Sequence, residues 1–204
     1  MTEPSTPPPP SPVEETPPEP RARLKAILRE VVETLLLAAV IYLVINFFTM
    51  RCEVEGPSME PTLETGQRLI VYRLAYAFSE PERGDVIVFR YPPDSGDNLV
   101  KRIIGLPGET VSIREGHVYI DGVLLEEPGY VSPPYYSGTW EVPEGHYFVL
   151  GDNRNSSSDS HSWGDIANLD GDLIVGRAWL SYWPPSRWGV IEHYRGYNRE
   201  QDGS

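Results

Sequence analysis

A candidate nucleophile, Ser58, lies in the stretch Gly56-Pro-Ser-Met-Glu-Pro-Thr-Leu63. Two prolines and a glycine in this stretch exclude a regular helix and a central strand, so we predict a constrained loop that presents the Ser58 hydroxyl. A serine hydroxyl ionises far above neutral pH and attacks a carbonyl only when a base lies within hydrogen-bond reach. The chemistry of this loop therefore depends on which residue takes the proton.

Three arrangements could supply this base. A Ser-His-Asp triad remains open, because His161 has a carboxylate, Asp159, close to it in the sequence. A lysine three residues after the serine on a helix is the second arrangement. Pro61 occupies the position where this lysine would stand, and a proline also interrupts a helix. The second arrangement is therefore nearly excluded. The third arrangement is a Ser-Lys dyad in which the lysine comes from another element.

For such a dyad the chain offers Lys101, since the other lysine lies in the N-terminal segment. Lys101 is in the middle of an apolar run, 98–105, which we predict to be a strand. Strand alternation places Lys101 on one face with Leu99 and Ile103, and Arg102 on the opposite face. Burial between aliphatic side chains lowers a lysine pKa and favours the neutral amine that a general base requires. A guanidinium stays charged, so Arg102 suits a structural ion pair instead.

The elements that position these residues begin with an apolar segment. Residues 1–30 are a proline-rich tail that ends in a basic flank, and we predict this tail to be disordered. Residues 31–50 contain one charge, Glu33, and are long enough to span about 30 Å of hydrocarbon as a helix. The basic flank predicts a cytoplasmic N-terminus. A cleaved signal peptide and a buried soluble helix are the alternatives, but no small-x-small cleavage site follows the segment. We therefore interpret 31–50 as an uncleaved transmembrane signal anchor.

Residues 51–185 are predicted to form a mainly β domain outside the membrane, because short apolar runs alternate with turn signals. Residues 126–145 are loop-like, and the polar run Gly151–Gly164 has the length and composition of a functional loop. Residues 186–204 are predicted to be a C-terminal tail. The predicted fold class is an antiparallel, partly closed β-fold that is preceded in the chain by one transmembrane helix. The predicted strands are 68–74, 85–91, 98–105, 110–113, 117–120, 123–125, 146–150 and 173–180.

Composition excludes several functions. The formal net charge of −13 argues against nucleic acid as a partner, because phosphate binding requires a basic surface. A single cysteine, Cys52, excludes an intramolecular disulfide and a cysteine-based zinc cluster. We predict that the chemistry needs no metal and no cofactor.

Four stretches, in this order, resemble the sequence boxes of bacterial type I signal peptidases. They cover most of residues 31–180 together with the membrane segment before them. One box alone is moderately specific, whereas their order and spacing are highly specific. The stretches are Val54–Leu63, Gly84–Phe89, Val100–Glu109 and Gly151–His161.

The resemblance implies a role for each matching residue. Ser58 would be the nucleophile and Lys101 the general base, and Ser157 would orient the lysine by a hydrogen bond to its amine. Asp159 would be a structural acid of the polar loop. An ion pair between Arg102 and Asp152 would brace the lysine strand against that loop.

The resemblance also implies a substrate, a membrane-bound preprotein with small residues at positions −1 and −3. The peptide would add an extended strand between residues 52–57 and 99–101. The lipid bilayer and the export translocon are the expected partners, and the expected location is the bacterial plasma membrane with the catalytic domain outside. The expected substrate-binding residues are Val54, Gly56, Met59, Leu99 and Val100.

Three features depart from many relatives. Gly56 stands where some relatives have a serine that helps to hold the oxyanion, so only the Ser58 N–H is expected to donate there. His161 replaces the usual arginine partner of the loop aspartate, and an imidazole holds a carboxylate less firmly than a guanidinium does. Residues 110–145 are short, which predicts only a small hairpin cap.

The expected function is removal of signal peptides from exported proteins by a membrane-bound serine endopeptidase. Two alternatives remain at this point. One is a self-cleaving repressor-type protease, which has a related Ser-Lys arrangement but no membrane segment. The other is a membrane-anchored β-domain that binds peptides without cutting them.

Overall fold

The computed structural model describes residues 20–90, 98–164 and 167–194. The proline-rich residues 1–19 lie outside this description, as do residues 195–204 of the predicted tail. The chain divides into two compact units between Ile45 and Asn46. The predicted fold class is confirmed: one apolar helix is followed in the chain by mainly antiparallel β structure.

Helix α1 spans Pro20–Phe48. Its part from Ile27 to Phe48 has the length and apolar composition of a membrane-crossing helix, and the side chains described there are mostly exposed. The predicted span of 31–50 differs at both ends. The helix begins earlier, and it ends at Phe48 because Thr49 and Met50 already pair with the neighbouring strand as part of the first β-strand.

The described residues of the second unit form twelve strands and short 3₁₀ turns, without a longer helix. Three predicted strands, 98–105, 117–120 and 146–150, have the observed bounds. The strands are β1 (Thr49–Glu53), β2 (Arg68–Tyr72), β3 (Val86–Arg90), β4 (Asn98–Gly105), β5 (Thr110–Arg114), β6 (His117–Ile120), β7 (Val123–Leu124), β8 (Gly138–Glu141), β9 (His146–Leu150), β10 (Leu169–Asp170), β11 (Ile174–Trp183) and β12 (Gly189–Val190).

The main sheet has the order β1-β2-β11-β3-β4-β9-β10, and β12 pairs with β11. All of its described pairings are antiparallel. Strand β11 is therefore inserted between β2 and β3, and β4 lies between β3 and β9. Register shifts in the pairings of β4 and β11 bend these strands and increase the local twist.

Strand β4 is buried on both faces, as the alternation of its residues predicts. Val100 packs in one core cluster with Val54 and Met59. Ile103, on the opposite face, packs in a second cluster to which Leu99 also belongs. Lys101 alternates with Leu99 and Ile103 and is only 3% exposed. The strand thus holds a lysine in an aliphatic interior, where a charge is costly.

Residues 110–145 form a separate four-stranded sheet of order β7-β6-β5-β8. The β5–β6 and β6–β7 hairpins turn through residue pairs with positive φ, Glu115-Gly116 and Asp121-Gly122, as expected of type I′ turns. The cap expected as a small hairpin thus carries an additional strand on each side. The loop prediction for 126–145 was wrong at Gly138–Glu141, which pair along β5 as β8.

The predicted C-terminal tail also needs correction, because residues 189–194 belong to the domain. Strand β12 pairs with β11, and the following Ile191 is 5% exposed within the core cluster of Met59. Ile191 N–H donates to the carbonyl of Trp179 at 3.0 Å. Between residues 186 and 194 only Ile191 is buried, which is too weak a sequence signal to predict that the domain extends past residue 185.

Candidate active site

The loop between β1 and β2 carries Ser58, and strand β4 carries Lys101. Lys101 Nζ lies 2.7 Å from Ser58 Oγ and donates a hydrogen bond to it. The loop is shaped by its own backbone, since Glu60 N–H donates to Pro57 O at 3.1 Å and Leu63 N–H to Met59 O at 2.9 Å. The structure therefore brings together the two residues that the sequence predicts as nucleophile and base.

Burial lowers the pKa of Lys101 from 10.5 to about 8. Removal of the ammonium from water is the main cause, because it penalises the charged form. The carboxylates of Asp159 and Asp152 act in the opposite direction and raise the Lys101 pKa. A substantial neutral fraction thus exists at mildly alkaline pH, so this amine can accept a proton from a hydroxyl.

The four predicted pocket residues other than Gly56 fall into two groups. Val54, Met59 and Val100 lie in one buried cluster next to the Ser58 loop. Leu99 packs with the other cluster, on the opposite face of β4, so the structure does not place it with those three. Gly56 has φ of +78°, and a Cβ built on it meets no atom within 4 Å. A larger residue there is limited by backbone strain rather than by space.

The polar loop after β9 lies against the Ser58 loop. Asn153 N–H donates to Ser58 O at 3.0 Å, and Asn153 Nδ2 donates to Pro57 O at 3.1 Å. A Cβ built on Gly151 would lie 2.3 Å from Ser58 O, which only a glycine avoids. Sequence reasoning missed Asn153 and Gly151 as positioning residues, although both lie in the loop that it singled out.

The ion pair expected between Arg102 and Asp152 is present and fully buried. Arg102 Nε and Nη2 donate to the two carboxylate oxygens of Asp152 at 2.8 and 2.7 Å. Thr62 Oγ1 also donates to Asp152, at 2.6 Å. The Asp152 carboxylate therefore joins the lysine strand to the Ser58 loop. The Thr62 contact was not predicted, because a threonine in a proline-rich loop gives no signal of a distant partner.

Ser157 lies beside the dyad but does not make the expected hydrogen bond. A Cβ built on Gly151 would lie 2.4 Å from Ser157 Oγ and 2.3 Å from Ser58 O, which places Ser157 against the Ser58 loop. Ser157 Oγ is buried and has no hydrogen-bond partner among the described residues. The bond predicted to the Lys101 amine is therefore not made among the described residues.

Asp159, which the sequence predicts to be a structural acid, is fully buried in the polar loop. It accepts a hydrogen bond from Gly151 N–H at 2.8 Å, and its other oxygen lies 2.5 Å from His161 Nδ1. The imidazole also stacks on the Tyr136 ring, with centroids 3.7 Å apart. His161 therefore holds the aspartate and at the same time ties the loop to the segment before β8.

A second buried ion pair, which the sequence did not reveal, fixes the same loop. The Arg154 guanidinium is fully buried and pairs with the carboxylate of Glu127. Arg154 Nε also donates to Gly151 O at 3.0 Å. Among the described residues, no group of three or more His, Cys, Asp or Glu side chains is arranged to hold a metal ion.

Comparison with known proteins identifies the family of this chain. The family model described as signal peptidase, peptidase S26, matches residues 28–183. The protein "Signal peptidase I" of Leptolyngbya laminosa is 41% identical over 194 residues, which are 89% of this chain and 94% of that protein. "Probable signal peptidase I-1" of a Synechocystis strain is 41% identical over 173 residues, 80% of this chain and 87% of its own.

A solved structure of a signal peptidase I from Enterococcus faecalis is 36% identical, with a TM-score of 0.42. It covers 48% of this chain and 97% of its own chain. The assignment rests on the family model and the sequence identities, which extend over most of the chain. They confirm the resemblance predicted from the four sequence boxes. The chain therefore belongs to the signal peptidases of peptidase family S26, as a serine endopeptidase of type I.

Proposed function

We propose that Ser58 and Lys101 form the catalytic dyad of a membrane-anchored signal peptidase. The observation that carries this proposal is the distance of 2.7 Å between Lys101 Nζ and Ser58 Oγ. Burial of the amine supports it, since burial lowers the lysine pKa to about 8. A hydroxyl beside a partly neutral amine is the arrangement that nucleophilic catalysis by serine requires.

The proposed reaction has two stages. Neutral Lys101 takes the proton of Ser58 while Oγ attacks the scissile carbonyl, and the resulting ammonium then protonates the leaving amine. This gives an ester between Ser58 and the signal peptide and releases the mature protein. Neutral Lys101 next takes a proton from water, the hydroxide attacks the ester, and the proton returns to Ser58.

The negative charge that develops on the scissile oxygen needs donors that are already in place. Ser58 N–H is suited to this, because no described residue accepts a hydrogen bond from it. Residue 56 is a glycine, so it offers no side-chain donor. We propose an oxyanion site made mainly of backbone N–H groups, in a loop that Asn153 holds from behind.

The edge of β4 offers a place for an extended substrate. Residues 98–102 of β4 pair with β3, whereas the described pairing with β9 begins only at Arg102. The other edge of residues 99–101 is therefore open to strand addition beside Lys101. Val54, Met59 and Val100 are buried in one cluster with the residue that follows Ser58, and we propose that they limit the substrate side chains at −1 and −3 to small ones.

Helix α1 supports the proposed location. Its apolar part, Ile27–Phe48, ends ten residues before Ser58. Such an anchor would hold the dyad close to the membrane surface, where the cleavage site of a translocating preprotein emerges. The basic residues before the anchor favour a cytoplasmic N-terminus and an extracytoplasmic catalytic domain. The bilayer and the export translocon are then the expected neighbours.

The test is cleavage of a purified preprotein by the full chain in detergent. Wild type should release the mature protein, and Ser58→Ala and Lys101→Ala should each slow cleavage by at least about 10³-fold. Ser79→Ala, which removes an exposed serine hydroxyl, is the matched control and should cut like wild type. A preprotein with phenylalanine at −1 should resist cleavage.

Two results would contradict the dyad. One is an intact preprotein with wild type, and the other is continued cleavage by both variants. Topology is tested separately by protease treatment of sealed spheroplasts. The catalytic domain should be digested from outside while an N-terminal tag survives, and the reverse pattern would overturn the orientation.

A further inference from the structure

The segment Ile191–Tyr194 packs on the buried guanidinium of Arg102. Arg102 Nη1 donates to the carbonyl of Glu192 at 3.1 Å, and the Tyr194 ring covers the guanidinium carbon, with 3.8 Å between that carbon and the ring centroid. Ile191 anchors the segment in the core. The Tyr194 hydroxyl contacts the hydroxyl of Tyr130, in the connection between β7 and β8.

Residue 84 is shaped to accept this segment. Gly84 has φ of +88°, and a Cβ built on it would lie 2.5 Å from the carbonyl oxygen of Tyr194. The Gly84 carbonyl in turn accepts a hydrogen bond from Arg102 Nη1 at 2.7 Å. A glycine at this point lets two stretches of backbone approach the same guanidinium, so the contact is built into the fold from both sides.

Arg102 connects this segment to the dyad by two short routes. Along β4 it is the neighbour of Lys101. Through space it holds Asp152, which accepts a hydrogen bond from Thr62 in the nucleophile loop at 2.6 Å. The residue after Asp152, Asn153, donates to Ser58 O. A change in the position of the Arg102 side chain would therefore reach both catalytic residues.

We propose that Tyr194 is a positioning residue for catalysis, and that the segment 191–194 acts as a clamp that fixes Arg102 and Asp152 beneath the dyad. The proposal rests on the dyad function given above. The ring excludes water from the face of a guanidinium whose side chain is fully buried. Exclusion of water strengthens the ion pair between Arg102 and Asp152 and restricts the positions that the two side chains can occupy. The geometry assigns a role to a segment in which the sequence shows no catalytic motif.

Cleavage kinetics of the full chain in detergent test this role. Tyr194→Ala should lower kcat by roughly ten- to a hundredfold, because a small misplacement of reacting groups can cost about 10² in rate. KM should stay within about twofold, since the clamp lies beneath the dyad rather than along the substrate strand. Tyr194→Phe keeps the ring over Arg102 and should restore kcat to within about twofold of wild type.

Tyr135→Ala is the matched control, because this tyrosine is 90% exposed and its removal should leave kcat unchanged. Each kcat is divided by the folded fraction from tryptophan fluorescence, measured well below the melting midpoint. If Tyr194→Ala proves too unstable, Tyr194→Leu replaces it, because leucine fills space without an aromatic face.

The proposal is overturned if the alanine and leucine variants keep the kcat of wild type per folded molecule. It is also overturned if phenylalanine fails to rescue the rate. Ser58→Ala and Lys101→Ala run in parallel and separate the two proposals. If these two variants still cleave, the dyad function has failed. If they are inert and Tyr194→Ala cleaves like wild type, only the clamp has failed.

Discussion

The buried position of Lys101 makes the rate of cleavage depend on pH in a calculable way. In the proposed mechanism the free enzyme acts only when the Lys101 amine is neutral, and burial lowers the pKa of Lys101 to about 8. For this value the neutral fraction is about one tenth at pH 7 and about nine tenths at pH 9. We expect kcat/KM to rise about tenfold over this interval and then to level off. A lysine with the ordinary pKa would instead give about a hundredfold rise with no plateau below pH 10.

A change of one nearby charge should move this profile. Asp159 raises the Lys101 pKa, so Asp159→Asn should shift the midpoint of the profile to lower pH. The amide still offers an oxygen to Gly151 N–H, which bonds Asp159 at 2.8 Å. Glu126→Gln removes an exposed carboxylate elsewhere and is the matched control. Its midpoint should coincide with that of wild type.

The assay measures initial rates on a fluorogenic peptide that carries no group titrating between pH 6 and 10. The peptide is kept well below KM, so the profile reports ionisation of the free enzyme. Folding at each pH is checked by tryptophan fluorescence. A wild-type midpoint at or above pH 10, or a midpoint that does not fall in Asp159→Asn, would show that burial of Lys101 does not set the pH dependence.

Three further predictions concern the surroundings of the dyad. Arg102→Lys keeps the charge but loses the bidentate contact with Asp152. Chemical denaturation should therefore show a free energy of unfolding about 2 kcal/mol lower than that of wild type, and cleavage should slow. An unchanged free energy of unfolding would contradict the role of this ion pair. Lys101→Met removes a buried titrating group. Between pH 8 and 10.5 the unfolded wild type binds a proton that the folded protein has released, so wild-type stability should rise with pH in this window, by up to about 3 kcal/mol, whereas that of Lys101→Met should not. Parallel stability curves for these two proteins would refute this. Gly151→Ala should abolish cleavage, because its Cβ would lie 2.3 Å from Ser58 O; activity near wild type would mean that the loop moves away without cost.

Local patterns in the sequence were enough to predict the lysine strand and the burial of Lys101. The apolar run 98–105 identifies β4, and alternation separates Lys101 from Arg102. The same pattern predicts a desolvated amine, which the structure shows within hydrogen-bond distance of Ser58. These features depend on residues close in sequence or on a scarce residue type, so a single chain reveals them.

Features that depend on distant partners could not be predicted in this way. Thr62 and Asp152 are ninety positions apart, and neither residue signals the other. Strand β8 follows a stretch rich in proline and glycine, so its edge pairing with β5 had no periodic signal. Ser157 Oγ has no hydrogen-bond partner among the described residues, and the direction of a serine hydroxyl depends on one side-chain torsion, which no sequence pattern specifies.

The place of β11 in the sheet has a consequence for synthesis of the protein. The loop that carries Ser58 joins β1 to β2, Lys101 lies on β4, and β11 is the strand that connects β2 to β3. A nascent chain that has emerged only as far as β9 therefore holds Ser58 and Lys101 on two separate pieces of sheet. Long-range strand pairing of this kind forms late in folding. If these two residues form the proposed dyad, a half-made molecule on the ribosome would thus carry both of them and remain unable to cut any chain beside it.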